Sequence, residues 1–201
     1  DVVASIWTSG CKGLFVSLCE LFGYGGYIAW YEDTQTGFNN FTEHIIVKND
    51  SWTQSPLMVD VEDFNNDGFK DVAWTAFFAK GPENGNYSVV GVARNNGDNL
   101  NFTPFEVDTY EYDYAGSAFF DITDFNNDGK KDLVVSTVFN YINETANLSL
   151  FNKVIWWEND GNFNFTRNTI FESSMAIIPY SIDAICLLYT SPSPRDVSTY
   201  R

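Results

Sequence analysis

The sequence predicts an all-β fold, and three observations carry that prediction. The string DFNNDG occurs twice, at Asp63–Gly68 and Asp124–Gly129, 61 residues apart. Around each copy lie four β-type segments separated by turns rich in Asn, Asp and Gly. No segment sustains the 3.6-residue apolar period of an amphipathic helix. Four antiparallel strands per unit, repeated at a spacing somewhat above the usual solenoid range, describe the blades of a β-propeller. The expectation is a β-propeller fragment of about three four-stranded antiparallel blades.

The first unit, residues 1–54, reads as a partial blade. DVVASIW (Asp1–Trp7) has the pattern of the later DVAWTAFF and DLVVSTVF, and YIAWYEDTQTGFNNFTEHIIV (Tyr27–Val47) supplies a third and a fourth strand. Asp1 falls where the last aspartate of a loop stands in the later units, so the chain is expected to begin inside a repeat. Asp1 and Asp71 are 70 residues apart, and the extra length falls in the middle hairpin, CKGLFVSLCELFGYGG. The apolar run Gly13–Tyr31 carries Glu20 and a glycine cluster, which suits two strands and a turn better than a membrane span.

The second unit, residues 55–116, holds segments at Ser55–Asp63, Asp71–Phe78, Ser88–Asp98 and Asn101–Thr109. The third, residues 117–178, matches it with Ser117–Asp124, Asp132–Phe139, Lys153–Gly161 and Asn164–Glu172. Several of these are apolar throughout, as strands buried on both faces are. PYSIDAI, residues 179–185, opens another unit and sets Asp183 opposite Asp60 and Asp121. At Cys186 the register breaks. CLLYTSPSPRD resembles the conceptual translation of a transposase adapter used to build sequencing libraries, so residues 186–201 are read as an adapter-derived tail and excluded from the fold.

The formal net charge of −16 opposes binding to nucleic acid phosphates and anionic membrane surfaces and suits cations. Hydrophobic residues make up 44% and aromatics 17%, which separates this chain from disordered acidic tails. Neither nucleic-acid binding nor membrane insertion is expected.

The repeated loop carries the chemistry. In D-F-N-N-D-G-F-K-D, side-chain oxygens stand at positions 1, 3, 5 and 9, which are Asp63, Asn65, Asp67 and Asp71. Gly68, at position 6, allows a sharp bend, and Phe69 at position 7 can offer its carbonyl. The second loop repeats the set with Asp124, Asn126, Asp128, the carbonyl of Lys130, and Asp132. Oxygen donors without Cys or His select Ca²⁺ over zinc or copper, and Mg²⁺ avoids flexible all-protein cages. Three carboxylates within nine residues repel unless a cation sits among them. An EF-hand would need helical flanks and a glutamate at position 12, where Trp74 and Val135 stand instead. Asn-Asp-Gly strings also make plain hairpin turns. Two copies, each closed by aspartate at position 9, favour the metal loop over the plain turn.

With its buried following strand and the later WWENDGNFNF (Trp156–Phe165), this pattern resembles the VCBS/FG-GAP class of propeller repeats, and the calcium-loop blades of integrin α chains have similar loops. The resemblance spans Asp1–Ile185 and is most specific at the loops. It implies a bladed propeller with Ca²⁺ between the first two strands of a blade, usually in extracellular or cell-surface proteins. It implies ligands at positions 1, 3, 5 and 9 and the carbonyl at 7, the residues named above. The first unit departs from the pattern through its long hairpin, so Asp1 is not carried over as a ligand.

Other features have bland readings beside functional ones. Seven N-x-[ST] sequons, at Asn40, Asn49, Asn86, Asn101, Asn143, Asn147 and Asn164, suit a glycoprotein or simply an Asn-rich repeat. Trp30, Tyr31, Trp156 and Trp157 would stack a sugar or, more in keeping with strand aromatics, fill the space between blades. His44, the single histidine, is a surface or packing residue. Cys11 and Cys19 are a disulfide pair or two buried thiols. No catalytic set is visible. The expected function is a calcium-binding scaffold for adhesion, at the cell surface or outside the cell, with a protein or carbohydrate ligand. The alternative is the structural propeller of a carbohydrate-active lyase or dehydratase whose catalytic residues lie elsewhere.

Overall fold

In a computed structural model, the structure describes residues 2–7, 26–34, 40–48, 56–80, 86–109, 116–138, 152–173 and 182–184. Cys11, Cys19, the inserted hairpin of the first unit, the sequons at Asn49, Asn143 and Asn147, and the tail from Cys186 lie outside the described residues. The described residues form three antiparallel sheets and no helix. No helix among them is long and apolar enough to cross a membrane.

The first sheet runs β1 (Val2–Trp7), β2 (Gly26–Asp33), β3 (Phe41–Val47). The second runs β4 (Pro56–Glu62), β5 (Asp71–Lys80), β6 (Asn86–Asn95), β7 (Phe102–Thr109). The third runs β8 (Gly116–Thr123), β9 (Asp132–Val138), β10 (Asn152–Asn159), β11 (Phe165–Ser173). Each is a meander in which neighbours in sequence are neighbours in space, the construction of a propeller blade.

The sequence explains which strands lie deep. In β5 and β9 the runs from Asp71 to Ala76 and from Asp132 to Thr137 are buried residue after residue, because both faces of a second strand are covered. In β11 most side chains are exposed, as on an outermost strand. The sheets pack face to face through two apolar layers. Ile28, Val72, Trp74 and Val89 belong to the layer joining the first and second sheets. Phe64, Val92, Phe120, Leu133 and Trp157 belong to the layer joining the second and third.

Equivalent positions in the second and third sheets exchange volume. Trp74 lies opposite Gly91, and a Cβ at Gly91 would come within 2.2 Å of the Trp74 ring. In the third sheet the same pair is Val135 and Ile155, and in the first it is Ala4 and Ala29. Glycine in mid-strand is unfavourable on its own, and here it is the space that the indole occupies.

Candidate metal centre

Each repeated loop joins the first and second strands of its sheet, and its turn is built by its own side chains. Asn66 and Gly68 adopt positive φ, 59° and 89°, and Asn127 and Gly129 match them at 61° and 87°. Asparagine and glycine are the residues that tolerate this conformation. Asp63 accepts the amides of Asp67 (3.1 Å) and Gly68 (2.8 Å), and Asp67 accepts that of Phe69 (2.9 Å). Asp124 accepts from Asp128 (2.9 Å) and Gly129 (2.8 Å), and Asp128 accepts from Lys130 (2.9 Å). Asn65 and Asn126 each accept the position 5 amide, at 3.2 and 3.1 Å.

The position 9 aspartates do something different. Asp71 is fully buried and receives the amides of Phe64 (2.9 Å) and Asn95 (2.8 Å). Asp132, equally buried, receives those of Phe125 (3.1 Å) and Asn159 (2.9 Å). Each therefore ties its loop to the start of the turn between the third and fourth strands. Burial pushes the Asp71 carboxyl up to about 6 against the pull of its two amides, and the nearby charges of Asp67 and Asp63 push the same way. Burial also raises Asp132. At Asp128 burial again opposes ionisation, but the Lys130 amide and ammonium outweigh it and hold the carboxyl low.

All ten predicted site residues lie within these two loops, five in each. The side-chain oxygens of positions 1, 3 and 5 engage loop amides, and among the described residues no group of three acidic side chains is placed to hold a metal ion. The donor set still fits a hard divalent ion. It is all oxygen, and the buried Asp71 feels the repulsion of the Asp63 and Asp67 charges that a cation would relieve.

Sequence reasoning passed over Asn95 and Asn159. Both are buried. Asn95 accepts the amide of Gly97 (3.0 Å) and donates to the Lys70 carbonyl (3.2 Å) and to Asn99 Oδ1 (2.6 Å). Asn159 accepts from Gly161 (3.0 Å) and donates to the Lys131 carbonyl (3.0 Å) and, across the interface between sheets, to the Phe64 carbonyl (2.8 Å). The signal for them was the turn N-x-G standing at the same place in both repeats, Asn95–Gly97 and Asn159–Gly161. The two loops also touch each other, since Asn66 Nδ2 donates to the Gly129 carbonyl at 3.1 Å.

The aromatic quartet forms no common platform. Trp30 stacks on His44, centroids 4.3 Å apart, and His44 pairs with Glu32 at 3.0 Å. The Tyr31 hydroxyl donates to Glu43 at 2.6 Å, a bond that pushes the phenol up to about 12. Trp156 lies 5.1 Å from the Phe125 ring, and Arg167 sits over Trp157. Of the sequon asparagines, Asn101 and Asn164 already donate their side-chain amides to Asp98 and Asp160 inside the turns.

A family model described as FG-GAP-like repeat matches residues 63–135 and 124–185. The two matches each begin at the first aspartate of a loop. No curated protein matches the chain.

Proposed function

The chain belongs to the FG-GAP-like repeat family, and from that premise we propose that it is a calcium-stabilised propeller scaffold presenting a ligand-binding face outside the cell. The observation that carries this reading is the pair of buried aspartates, Asp71 and Asp132. Each is destabilised as an anion by burial while also being the node that fixes loop to sheet.

The residues that would hold Ca²⁺ are Asp63, Asn65, Asp67, the Phe69 carbonyl and Asp71 in one loop. In the other they are Asp124, Asn126, Asp128, the Lys130 carbonyl and Asp132. When bound, the ion supplies the positive charge that lets each buried carboxylate stay ionised. The chain's own residues do the rest. Asp71 and Asp132 lock loop to hairpin turn, and Phe69 packs against Gly97 as Lys130 does against Gly161, at 3.5 and 3.2 Å from a Cβ position. The loops and turns of the two sheets are joined by the Asn66 bond to the Gly129 carbonyl and the Asn159 bond to the Phe64 carbonyl. Loops on a rigid frame are where binding specificity resides, and a chain of net charge −16 suits a protein or carbohydrate ligand rather than a polyanion.

Extracellular calcium modules bind at roughly 10⁻⁴–10⁻³ M. With free Ca²⁺ about tenfold above Kd, each site adds roughly 1.4 kcal/mol to folding stability. Thermal unfolding in millimolar Ca²⁺ is therefore expected at a higher temperature than in excess chelator, and Asp67→Ala or Asp128→Ala removes most of the gain from its own site. Superimposable melting curves in the two conditions would overturn the proposal.

A further inference from the structure

The two repeated loops are connected to each other by hydrogen bonds between buried groups. Asp71 Oδ2 accepts the amide of Phe64 at 2.9 Å, and the carbonyl of the same Phe64 accepts Asn159 Nδ2 at 2.8 Å. The Asn159 amide in turn donates to Asp132 Oδ1 at 2.9 Å. A relay through Phe64 and Asn159 thus leads from the last aspartate of one loop to the last aspartate of the other. All four residues are 0% exposed. Asn159 Nδ2 also donates to the Lys131 carbonyl (3.0 Å), one residue before Asp132. A second link runs along the surface. Asn66 Nδ2 donates to the carbonyl of Gly129 (3.1 Å), whose amide is held by Asp124 (2.8 Å).

The relay is stiff because each member is held at more than one atom. Asp71 takes the Asn95 amide through Oδ1 while Oδ2 takes that of Phe64, so its carboxylate cannot turn without breaking a buried bond. Asp132 is fixed in the same way, with Oδ2 on the Phe125 amide (3.1 Å) and Oδ1 on that of Asn159. Phe64 uses its N–H toward one loop and its carbonyl toward the other. A buried polar group that loses its partner is costly in a low-dielectric interior. Displacing one member therefore strands an atom of the next.

We propose that Asn159 is a positioning residue that couples the two loops in binding Ca²⁺, so that occupation of one raises the affinity of the other. The inference rests on the calcium reading given above and adds to it a communication between the sites. A carboxylate that serves as a ligand has to be held in one place, and holding it costs conformational freedom. Fixing Asp71 fixes the Phe64 peptide, the Phe64 carbonyl fixes Asn159, and Asn159 fixes Asp132. The second loop to be occupied has less freedom left to lose, which is positive cooperativity, and the effect is reciprocal. Charge acts in the other direction, because a cation in one acidic loop weakens the negative field at its neighbour. Asp67 and Asp128 are exposed, however, and charges in contact with water are screened within about 8 Å at physiological ionic strength. The relay lies out of water and keeps its strength.

Calorimetric titration of the whole metal-free chain with Ca²⁺ at physiological ionic strength tests it. Asp128→Ala reports the affinity of the first loop with the second empty, and Asp67→Ala that of the second with the first empty. The wild-type chain is expected to bind its second ion on the order of five- to fiftyfold more tightly than these single-site affinities give, with an isotherm steeper than their sum. Asn159→Ala still binds two ions but loses most of that excess, whereas a residue of purely structural importance would lower both affinities and leave the excess in place. Asn66→Gly removes the surface link, keeps the positive φ of that position and disturbs no buried group, and it lowers the excess as well. A wild-type isotherm equal to the sum, or shallower, overturns the coupling and leaves the calcium reading standing. A chain that binds no Ca²⁺ at millimolar concentration overturns both. An undiminished excess in Asn159→Ala, or in Asn66→Gly where the first variant does not fold, overturns the proposed route.

Discussion

At the scale of the residue, Asp71 shows how one side chain serves both loop and sheet. Its two amide bonds favour the carboxylate, and its burial beside Asp63 and Asp67 opposes it more strongly. The sign of the resulting pH dependence follows from the direction of the shift. An unfolded aspartate titrates near ~3.9, whereas folded Asp71 titrates at about 6. Between those values the folded chain binds more protons, so this group's contribution to stability falls as pH rises through the window and is fully lost above it. In chelator, wild type is expected to lose on the order of 1–3 kcal/mol from this group between pH 4 and pH 7. Asp71→Asn cannot titrate and lacks that component, although it gives up one of the two amide bonds and is less stable at pH 4. Denaturant titrations of both chains across the pH range measure the difference. Saturating Ca²⁺ is expected to abolish the decline, because the ion favours the carboxylate. The sequence made Asp71 legible as the ninth position of a loop. Its partner Asn95 was not legible as such, because the bond between them spans 24 residues and exists only once β5 and β6 are paired.

At the scale of the element, the strands themselves were the most readable part of the chain. Apolar runs bounded by Asn, Asp and Gly mark where β4 to β11 lie, since local propensity, turn chemistry and burial all point the same way. The pairing of sizes across strands was hidden, because Trp74 and Gly91 are unremarkable alone and meaningful only in register. Gly91→Ile is expected to destabilise the chain by about 3 kcal/mol or more, because the added atoms would overlap the Trp74 ring. The double change Trp74→Val with Gly91→Ile copies the Val135 and Ile155 pair of the third sheet and is expected to recover much of that loss. Chemical denaturation of the single and double variants reads this directly. A double variant as destabilised as the sum of the Trp74→Val and Gly91→Ile losses would mean the two positions do not share space.

At the scale of the whole molecule, stability is a sum of sheets and of the interfaces between them. Phe64 and Asn159 bridge the second and third sheets, so the repeated loop of one sheet is also the plug that joins it to the next. Phe64→Ala is expected to cost about 3–5 kcal/mol and to separate unfolding of the second and third sheets into two steps, which calorimetry would resolve. The DFNNDG string announced the loop from sequence alone, yet the second role of its phenylalanine emerged only when the two copies were seen in different surroundings, one enclosed and one half exposed. On the reading proposed above, a bound cation would let this crowded group of acids stay charged. Isothermal titration of the metal-free chain with Ca²⁺ measures this most directly. Two ions per chain are expected, one for Asp67→Ala or Asp128→Ala alone, and none for the double variant. An unchanged heat of binding in the double variant, or no binding by the wild-type chain at millimolar Ca²⁺, would contradict it.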